Sequence, residues 1–149
     1  MGKSEPKNNV DARLSDPCIS CGGKMAPSTK PTSLLVNGEE MKGLRVRHIR
    51  CTKCGQAMFS IDEARQVREL AFEKYRKRYR LLTADEIRSL RERFHMSQRK
   101  LAEYLRLGEV TIARWESNRN VQTAAMDLLL KLIRDVPGAA EYIEKDKAA

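Results

Sequence analysis

Apolar residues recur at three- and four-residue intervals along most of the chain after residue 60, which is the spacing of amphipathic helices. The spacing predicts a helix over 60–80, followed by short helical segments over 84–95, 98–105, 109–118, 123–135 and 139–143. Ser60 with Glu63 and Thr83 with Glu86 fit the capping box at two of the helix starts, and Ser97 is a candidate N-cap for a third. The chain beyond residue 60 is therefore predicted to be α-helical.

A different pattern precedes residue 60. An apolar run over 34–36 leads into Asn37-Gly38, a dipeptide that favours a tight hairpin turn, and Val46 and His48 alternate with Arg45, Arg47 and Ile49. We predict two short strands joined near Asn37-Gly38, the second containing residues 45–49. His48 is interpreted as a strand residue that faces solvent, and the alternative is that it replaces a cysteine as a metal ligand.

Two CxxC pairs flank the predicted hairpin: Cys18 with Cys21, and Cys51 with Cys54. A segment of about 45 residues with few large apolar side chains buries too little surface to fold alone. Four thiolates on zinc would supply the missing stability, on the order of 10–16 kcal/mol in small peptides. Because four protein ligands leave no open position, the predicted role is structural, with one zinc ion per chain. Iron in the same site and a redox-active dithiol remain alternatives.

Glycine directly follows each pair, as Gly22 and Gly55, where it lets backbone amides turn toward the sulfurs. This arrangement is typical of metal-binding knuckles.

The 149-residue chain is 41% apolar, enough for small cores. No apolar run approaches the ~18 residues that a membrane span needs, and the polar N-terminus lacks the apolar segment of a signal peptide. We expect a cytoplasmic, mainly α protein with a small zinc-stabilised β-hairpin module. Its predicted parts are a disordered tail over 1–16, a zinc-binding domain with a basic C-terminal helix over 17–80, and a helical domain over 81–149.

The net charge of +9 favours an anionic partner, with nucleic acid the leading candidate. The excess is +5 over residues 18–59 and +3 over 60–82, but only +1 over 83–149. Five of the seven residues over 74–80 are basic, and they either contact DNA phosphates or form a solvated helix end that suits the helix dipole. The candidate phosphate contacts here are Lys74, Arg76, Lys77, Arg78 and Arg80.

The stretch over 98–115 has the pattern of a helix-turn-helix, in which Leu101, Ala102 and Leu105 line one helix and Ile112 and Trp115 face inward from the next. Three segments resemble the lambda-repressor-like, Xre-type DNA-binding domain: Met96-Ser97-Gln98-Arg99-Lys100-Leu101-Ala102, Leu107-Gly108 and Thr111-Ile112-Ala113-Arg114-Trp115-Glu116. Arg106 stands where that domain usually has a glycine. The resemblance covers about residues 83–135 and implies a four-to-five-helix domain that binds double-stranded DNA.

The order of these parts carries a second resemblance. A CxxC–hairpin–CxxC segment, a basic helix and an Xre-type domain, over roughly residues 17–135, resemble the MqsA (YgiT-type) antitoxin family. The resemblance implies an N-terminal domain that binds structural zinc and a ribonuclease toxin, with zinc ligands at Cys18, Cys21, Cys51 and Cys54. It also implies a C-terminal domain that forms a homodimer and binds an inverted-repeat operator of its own operon.

A recognition helix presents its N-terminal residues to base edges in the major groove. Because Ile112 and Trp115 occupy the core, the predicted base contacts are Glu109, Val110, Ala113 and Arg114. Arg114 can bind O6 and N7 of guanine together, and the alternative is an ion pair with Glu116 or with the first helix of the helix-turn-helix. The predicted phosphate contacts of this domain are Gln98, Arg99, Lys100, Thr111 and Arg119, each with simple solvation as the alternative.

No nucleophile–base set and no phosphate-binding loop occur in the sequence, so we expect a protein that is not an enzyme. The favoured interpretation is a dimeric, zinc-containing transcriptional repressor that acts as a type II antitoxin. The alternatives are a regulator of the same architecture without a toxin partner and a thiol-redox protein. A neighbouring gene for a small basic ribonuclease would favour the antitoxin, and an absence of bound metal would favour redox chemistry.

Overall fold

The computed structural model describes residues 10–148, which form two compact units. Of the described residues, the first unit comprises 10–35 and 40–71, and the second comprises 36–39 and 72–148. The contacts thus divide the chain before residue 72, whereas the sequence suggested a boundary after residue 80. Within the described residues, no helix combines the length and the apolar character needed to cross a membrane.

Five strands form between residues 25 and 58: β1 (Met25–Ser28), β2 (Thr32–Val36), β3 (Glu39–Leu44), β4 (His48–Cys51) and β5 (Ala57–Met58). Strands β1, β4 and β5 make an antiparallel sheet with β4 in the centre, and β2 pairs with β3. The β1–β4 register places Met25 opposite Cys51 and Ser28 opposite His48. This pairing brings the two halves of the cysteine module together.

The hairpin turn at Asn37-Gly38 is confirmed. Both residues have positive φ, 49° and 84°, as a type I′ turn requires. The predicted second strand is wrong in its bounds, because β3 ends at Leu44 and residues 48–51 form a separate strand in the other sheet. In a hairpin with a two-residue turn, residues at equal distances before and after the turn pair with each other. Because β2 begins at Thr32, residues beyond Leu44 have no residue of β2 with which to pair.

The predicted disordered tail over 1–16 lies partly outside the described residues, which begin at residue 10. From residue 10 onward, the chain is ordered where disorder was predicted. Val10–Arg13 forms the short helix α1, and the Arg13 guanidinium donates two hydrogen bonds to Glu63, at 2.6 and 3.0 Å. The ion pair joins residues 50 positions apart, a contact for which local composition carries no signal.

Six helices follow: α2 (Ile61–Tyr79), α3 (Ala84–Arg93), α4 (Gln98–Tyr104), α5 (Thr111–Glu116), α6 (Ala124–Asp135) and α7 (Ala139–Ala148). The capping boxes at Ser60 and Thr83 and the N-cap at Ser97 are confirmed. Helix α5 begins at Thr111, later than predicted, and α7 continues past the predicted end at residue 143. The predicted fold class, mainly α with a small β module, is confirmed.

Helices α3, α4, α5 and α6 supply most of the core of the second unit, whose fully buried members include Ile87, Leu101, Ala102, Ile112 and Leu130. Trp115, the only tryptophan, lies in this core with 4% of its surface exposed. Between α4 and α5, Arg106 adopts φ 56°, the left-handed conformation that favours glycine and costs another residue about 1 kcal/mol. The core fixes which faces of α4 and α5 remain exposed.

Candidate metal centre and nucleic-acid interface

The four cysteines converge at one end of the first unit. All four Sγ atoms lie within 4.8 Å of one another, with Cys18 and Cys54 sulfurs 3.7 Å apart and Cys21 and Cys51 sulfurs 3.5 Å apart. Each pair sits on a tight knuckle, closed in the first by a hydrogen bond from the Gly22 N–H to the Cys18 carbonyl. No disulfide links them, and their positions suit one metal ion bound by four sulfurs.

Glycines allow the knuckles to close around this centre. Gly22 and Gly55 adopt φ of 68° and 77°, as expected from their positions after the pairs. Gly23, which the sequence reasoning did not single out, is required for a different reason. A Cβ atom there would lie 2.9 Å from both the Cys51 sulfur and the Lys53 Cβ and 3.2 Å from the Cys21 sulfur, so a side chain would crowd two of the ligands. Its position directly after Gly22 is the only signal in the sequence.

The thiols of the cluster differ in acidity. A hydrogen bond from the backbone N–H of Cys54 lowers the pKa of Cys51 to about 6. The backbone N–H of Gly23 acts in the same direction on Cys21, but the neighbouring sulfurs of Cys54 and Cys51 outweigh it and raise the pKa of Cys21 to about 12. A bound cation removes this repulsion, because a metal deprotonates the thiols that ligate it.

His48 does not belong to the metal centre, and its predicted exposure to solvent is wrong. The side chain is fully buried in the central strand β4, its Nδ1 lies 2.8 Å from the Val46 carbonyl oxygen, and its ring stacks on Phe59 at 4.7 Å. Burial follows from the strands on both sides of β4, which the alternation over 45–49 did not reveal. The residue is part of the packing of the first unit.

The predicted base contacts lie together on the exposed side of α5 and the turn before it. Ile112 and Trp115 are buried, whereas Val110 is 52% exposed and Arg114 is exposed. A shallow groove of about 450 Å³ runs along this face, lined by Gln98, Val110, Ala113, Arg114, Ser117 and Arg119. Of the predicted contacts, Glu109 lies in the turn, where its carboxylate is 3.6 Å from Arg99.

Arg114 does not form the ion pair with Glu116 that was its alternative role. The Glu116 carboxylate binds Arg91 at 2.7 and 3.1 Å and the Gln98 amide at 2.8 Å. Within residues 10–148, no side chain or carbonyl accepts a hydrogen bond from the Arg114 guanidinium. That group is therefore available to a partner in the groove.

The buried Glu116 carboxylate is a second feature that sequence reasoning missed. Its side chain is 2% exposed. Burial alone would raise the pKa of Glu116, but the hydrogen bonds from Arg91 and Gln98 and the charge of Arg88 hold it below its ordinary value. The network ties α3, α4 and α5 together, and it fixes the amide of Gln98, predicted as a phosphate contact, at the edge of the groove.

The other predicted phosphate contacts lie in α4, in and after α5, and in and after α2. Arg99, Lys100 and Arg119 are exposed and Thr111 is half-buried. In the basic run of α2, Lys77 pairs with Glu73 at 2.7 Å and Arg78 with Glu39 at 3.0 Å. Arg76 differs from both, because its buried Nε and Nη2 have no acceptor in the described part of the chain and burial lowers its pKa.

Comparison with known proteins and protein families identifies the family of this chain. No curated protein matches it. The family described as the antitoxin component of bacterial toxin–antitoxin systems, MqsA, matches over residues 16–143, a range that contains the four-cysteine cluster and helices α2 to α6. Because the match covers most of the chain, this protein belongs to the MqsA family of antitoxins.

Proposed function

We propose that this antitoxin is a sequence-specific DNA-binding repressor that controls its own operon and neutralises a ribonuclease toxin. The observation that carries the proposal is the exposed face of α5, where Val110, Ala113 and Arg114 lie opposite the buried Ile112 and Trp115. A recognition helix needs this division, because one face must hold it on the domain while the other reaches the bases.

Arg114 is the central base contact of the proposal. Since its guanidinium has no partner within residues 10–148, it can bind O6 and N7 of a guanine without first breaking an ion pair. Val110 and Ala113 are positioned to contact a thymine methyl beside it. Glu109 would accept a hydrogen bond from a cytosine amine after leaving Arg99, which is 3.6 Å away.

Exposed basic side chains around this face are the proposed phosphate contacts, together with Thr111: Arg99, Lys100 and Arg119. Because residues 83–149 carry a net charge of only +1, we assign additional, sequence-independent attraction to the basic run Lys74, Arg76, Lys77, Arg78 and Arg80. Lys77 and Arg78 would have to give up their carboxylate partners to bind phosphates. Their contribution to the affinity for DNA is therefore smaller than that of two unpaired basic side chains.

Zinc is the metal proposed for the cluster of Cys18, Cys21, Cys51 and Cys54. Four thiolates in a closed set are typical of structural zinc, and four sulfurs within 4.8 Å of one another suit a single ion. The ion would neutralise the thiolates and tie the two knuckles together. We assign the toxin to this unit, following the division of roles that the family resemblance implies.

A homodimer through the second unit completes the proposal, because an inverted-repeat operator has to be met by two recognition helices. Helix α6 offers a surface for a second copy. Leu128 and Leu132 lie at four-residue spacing on the face opposite the buried Leu130, Val136 directly follows the last residue of the helix, and the three are 59%, 43% and 47% exposed. Apolar exposure on the outer face of an otherwise amphipathic helix favours an interface.

The test of the proposed function uses the whole chain and the DNA immediately upstream of its own gene. Fluorescence anisotropy should show binding to that duplex in preference to a shuffled duplex of equal composition, with a preference of about 10³-fold or more, as is typical of specific sites. In the same preparation, the product of the neighbouring gene should copurify and lose its ribonuclease activity. Equal affinity for both duplexes would contradict the repressor role.

A further inference from the structure

Gln98 is the first residue of α4 and lies at the edge of the groove that contains Arg114. Its Nε2 donates a 2.8 Å hydrogen bond to Glu116 Oε2. Glu116 is itself held by two hydrogen bonds from Arg91 and is buried, so it provides a fixed acceptor. The amide of Gln98 therefore has a defined orientation, unlike a side chain that is free in solvent.

This contact determines what the amide still offers to a ligand. A glutamine amide has two N–H donors and one carbonyl acceptor. With one N–H donated to Glu116, Gln98 retains one donor and one acceptor. A phosphate oxygen can use only the donor, whereas the major-groove edge of adenine presents an N7 acceptor beside an N6 donor and can use both.

We propose that Gln98 is a specificity-determining residue that recognises an A·T pair next to the pair bound by Arg114, and that Glu116 is the residue that positions it. The inference rests on the proposed DNA binding and revises the phosphate contact expected for Gln98. The positioning lowers the cost of binding, because a side chain already held in place loses less conformational freedom when it meets the base.

The experiment is selection of binding sites by the whole chain from a library of random duplexes of about 30 base pairs. The wild-type chain is compared with Gln98→Met, which keeps the length of the side chain but removes the amide, and with Gln98→Ala. Thermal unfolding followed by Trp115 fluorescence shows that each variant is folded. Lys100→Ala, an exposed position on the same helix, is the matched control.

We expect the wild-type motif to contain an A·T position in each half-site with a preference of about 5- to 150-fold. Both Gln98 variants should lose that preference while the guanine position assigned to Arg114 remains. Glu116→Gln should weaken the same A·T position, an effect that loss of stability alone would not produce. Lys100→Ala should lower affinity for all duplexes and leave the motif unchanged.

Two results would overturn the inference and are distinguishable from each other. If the Gln98 variants select the wild-type motif with uniformly lower affinity, Gln98 is a phosphate contact and only this inference fails. If the wild-type chain selects no motif at all, the proposed DNA recognition fails and the inference fails with it.

Discussion

Gly23 and Glu116 are single positions on which the two candidate sites depend. The first leaves room beside the Cys51 and Cys21 sulfurs, and the second holds the Gln98 amide at the edge of the groove. Neither belongs to a motif that identifies the chemistry of its site. Their importance comes from their three-dimensional surroundings. A Cβ atom at position 23 would lie 2.9 Å from the Cys51 sulfur, and the buried Glu116 carboxylate has three polar partners, Arg91, Gln98 and Arg88.

We predict that Gly23→Ala abolishes stoichiometric metal binding. The added methyl group would press on the Cys51 sulfur and the Lys53 Cβ, both 2.9 Å away, and so displace the second knuckle, and metal sites tolerate only small changes in ligand position. Elemental analysis should find about one zinc per wild-type chain and clearly less in the variant. Ser20→Ala is the control, since Ser20 is exposed and alanine keeps its backbone N–H. Full zinc content in Gly23→Ala would contradict the described geometry.

Glu116 should make the stability of the second unit depend on pH. Burial raises the pKa of Glu116, but Arg91 and Gln98 outweigh it, so the folded value lies below the ordinary 4.5 expected in the unfolded chain. The carboxylate therefore stabilises the fold above pH 4.5, and this contribution is lost as the pH falls through the folded pKa. Denaturant unfolding followed by Trp115 fluorescence should show a shallower pH dependence in this range for Glu116→Gln. An unchanged slope would rule out this role.

Local signals predicted the helices well, and long-range pairing was less accessible from the sequence. The caps at Ser60, Thr83 and Ser97 involve residues within one turn, and all three are present in the structure. Strands β1 and β5 were missed because four- and two-residue strands have too few positions to show a period. The burial of His48 depends on those strands and on Phe59, so alternation over 45–49 gave the wrong exposure.

Helix α6 has core residues on one face and exposed apolar residues on the other. We predict that Leu132→Asp converts the dimer to a monomer, because a charge at the centre of the stripe of Leu128, Leu132 and Val136 would be buried without a partner. Sedimentation equilibrium measures the mass, and Trp115 fluorescence verifies folding. Lys145→Asp, exposed on α7, is the control. A Leu132→Asp dimer of wild-type affinity would exclude this face.

The two units have different sources of stability. The first has a small core of Cys18, Met25, Ile49 and Cys51, two of which are candidate metal ligands. The second has an extended apolar core centred on helices α3 to α6. The CxxC spacing was sufficient to predict that the four cysteines lie together, whereas the assignment of residues 72–80 and 36–39 to the second unit required the contacts themselves.

Metal removal should therefore affect the units unequally. We predict that a strong chelator unfolds the first unit of the whole chain and leaves the second folded, since only the first needs the ion to close its core. Hydrogen exchange should show loss of protection in β1 and β4 and retained protection in α3 to α6, with the Trp115 thermal transition unchanged. Cooperative unfolding of both units on chelation would contradict separate stabilisation.

If the exposed face of α5 recognises operator bases, Arg114→Ala should affect operator binding far more than binding to other DNA. The measurement is the Kd of the whole chain for its operator and for random DNA, with Lys145→Ala as a control. We expect Arg114→Ala to weaken operator binding by about 5- to 150-fold, a loss of about 1–3 kcal/mol, and to leave the affinity for random DNA nearly unchanged. Equal losses on both duplexes would show that Arg114 contacts only the backbone and would contradict base recognition by this face.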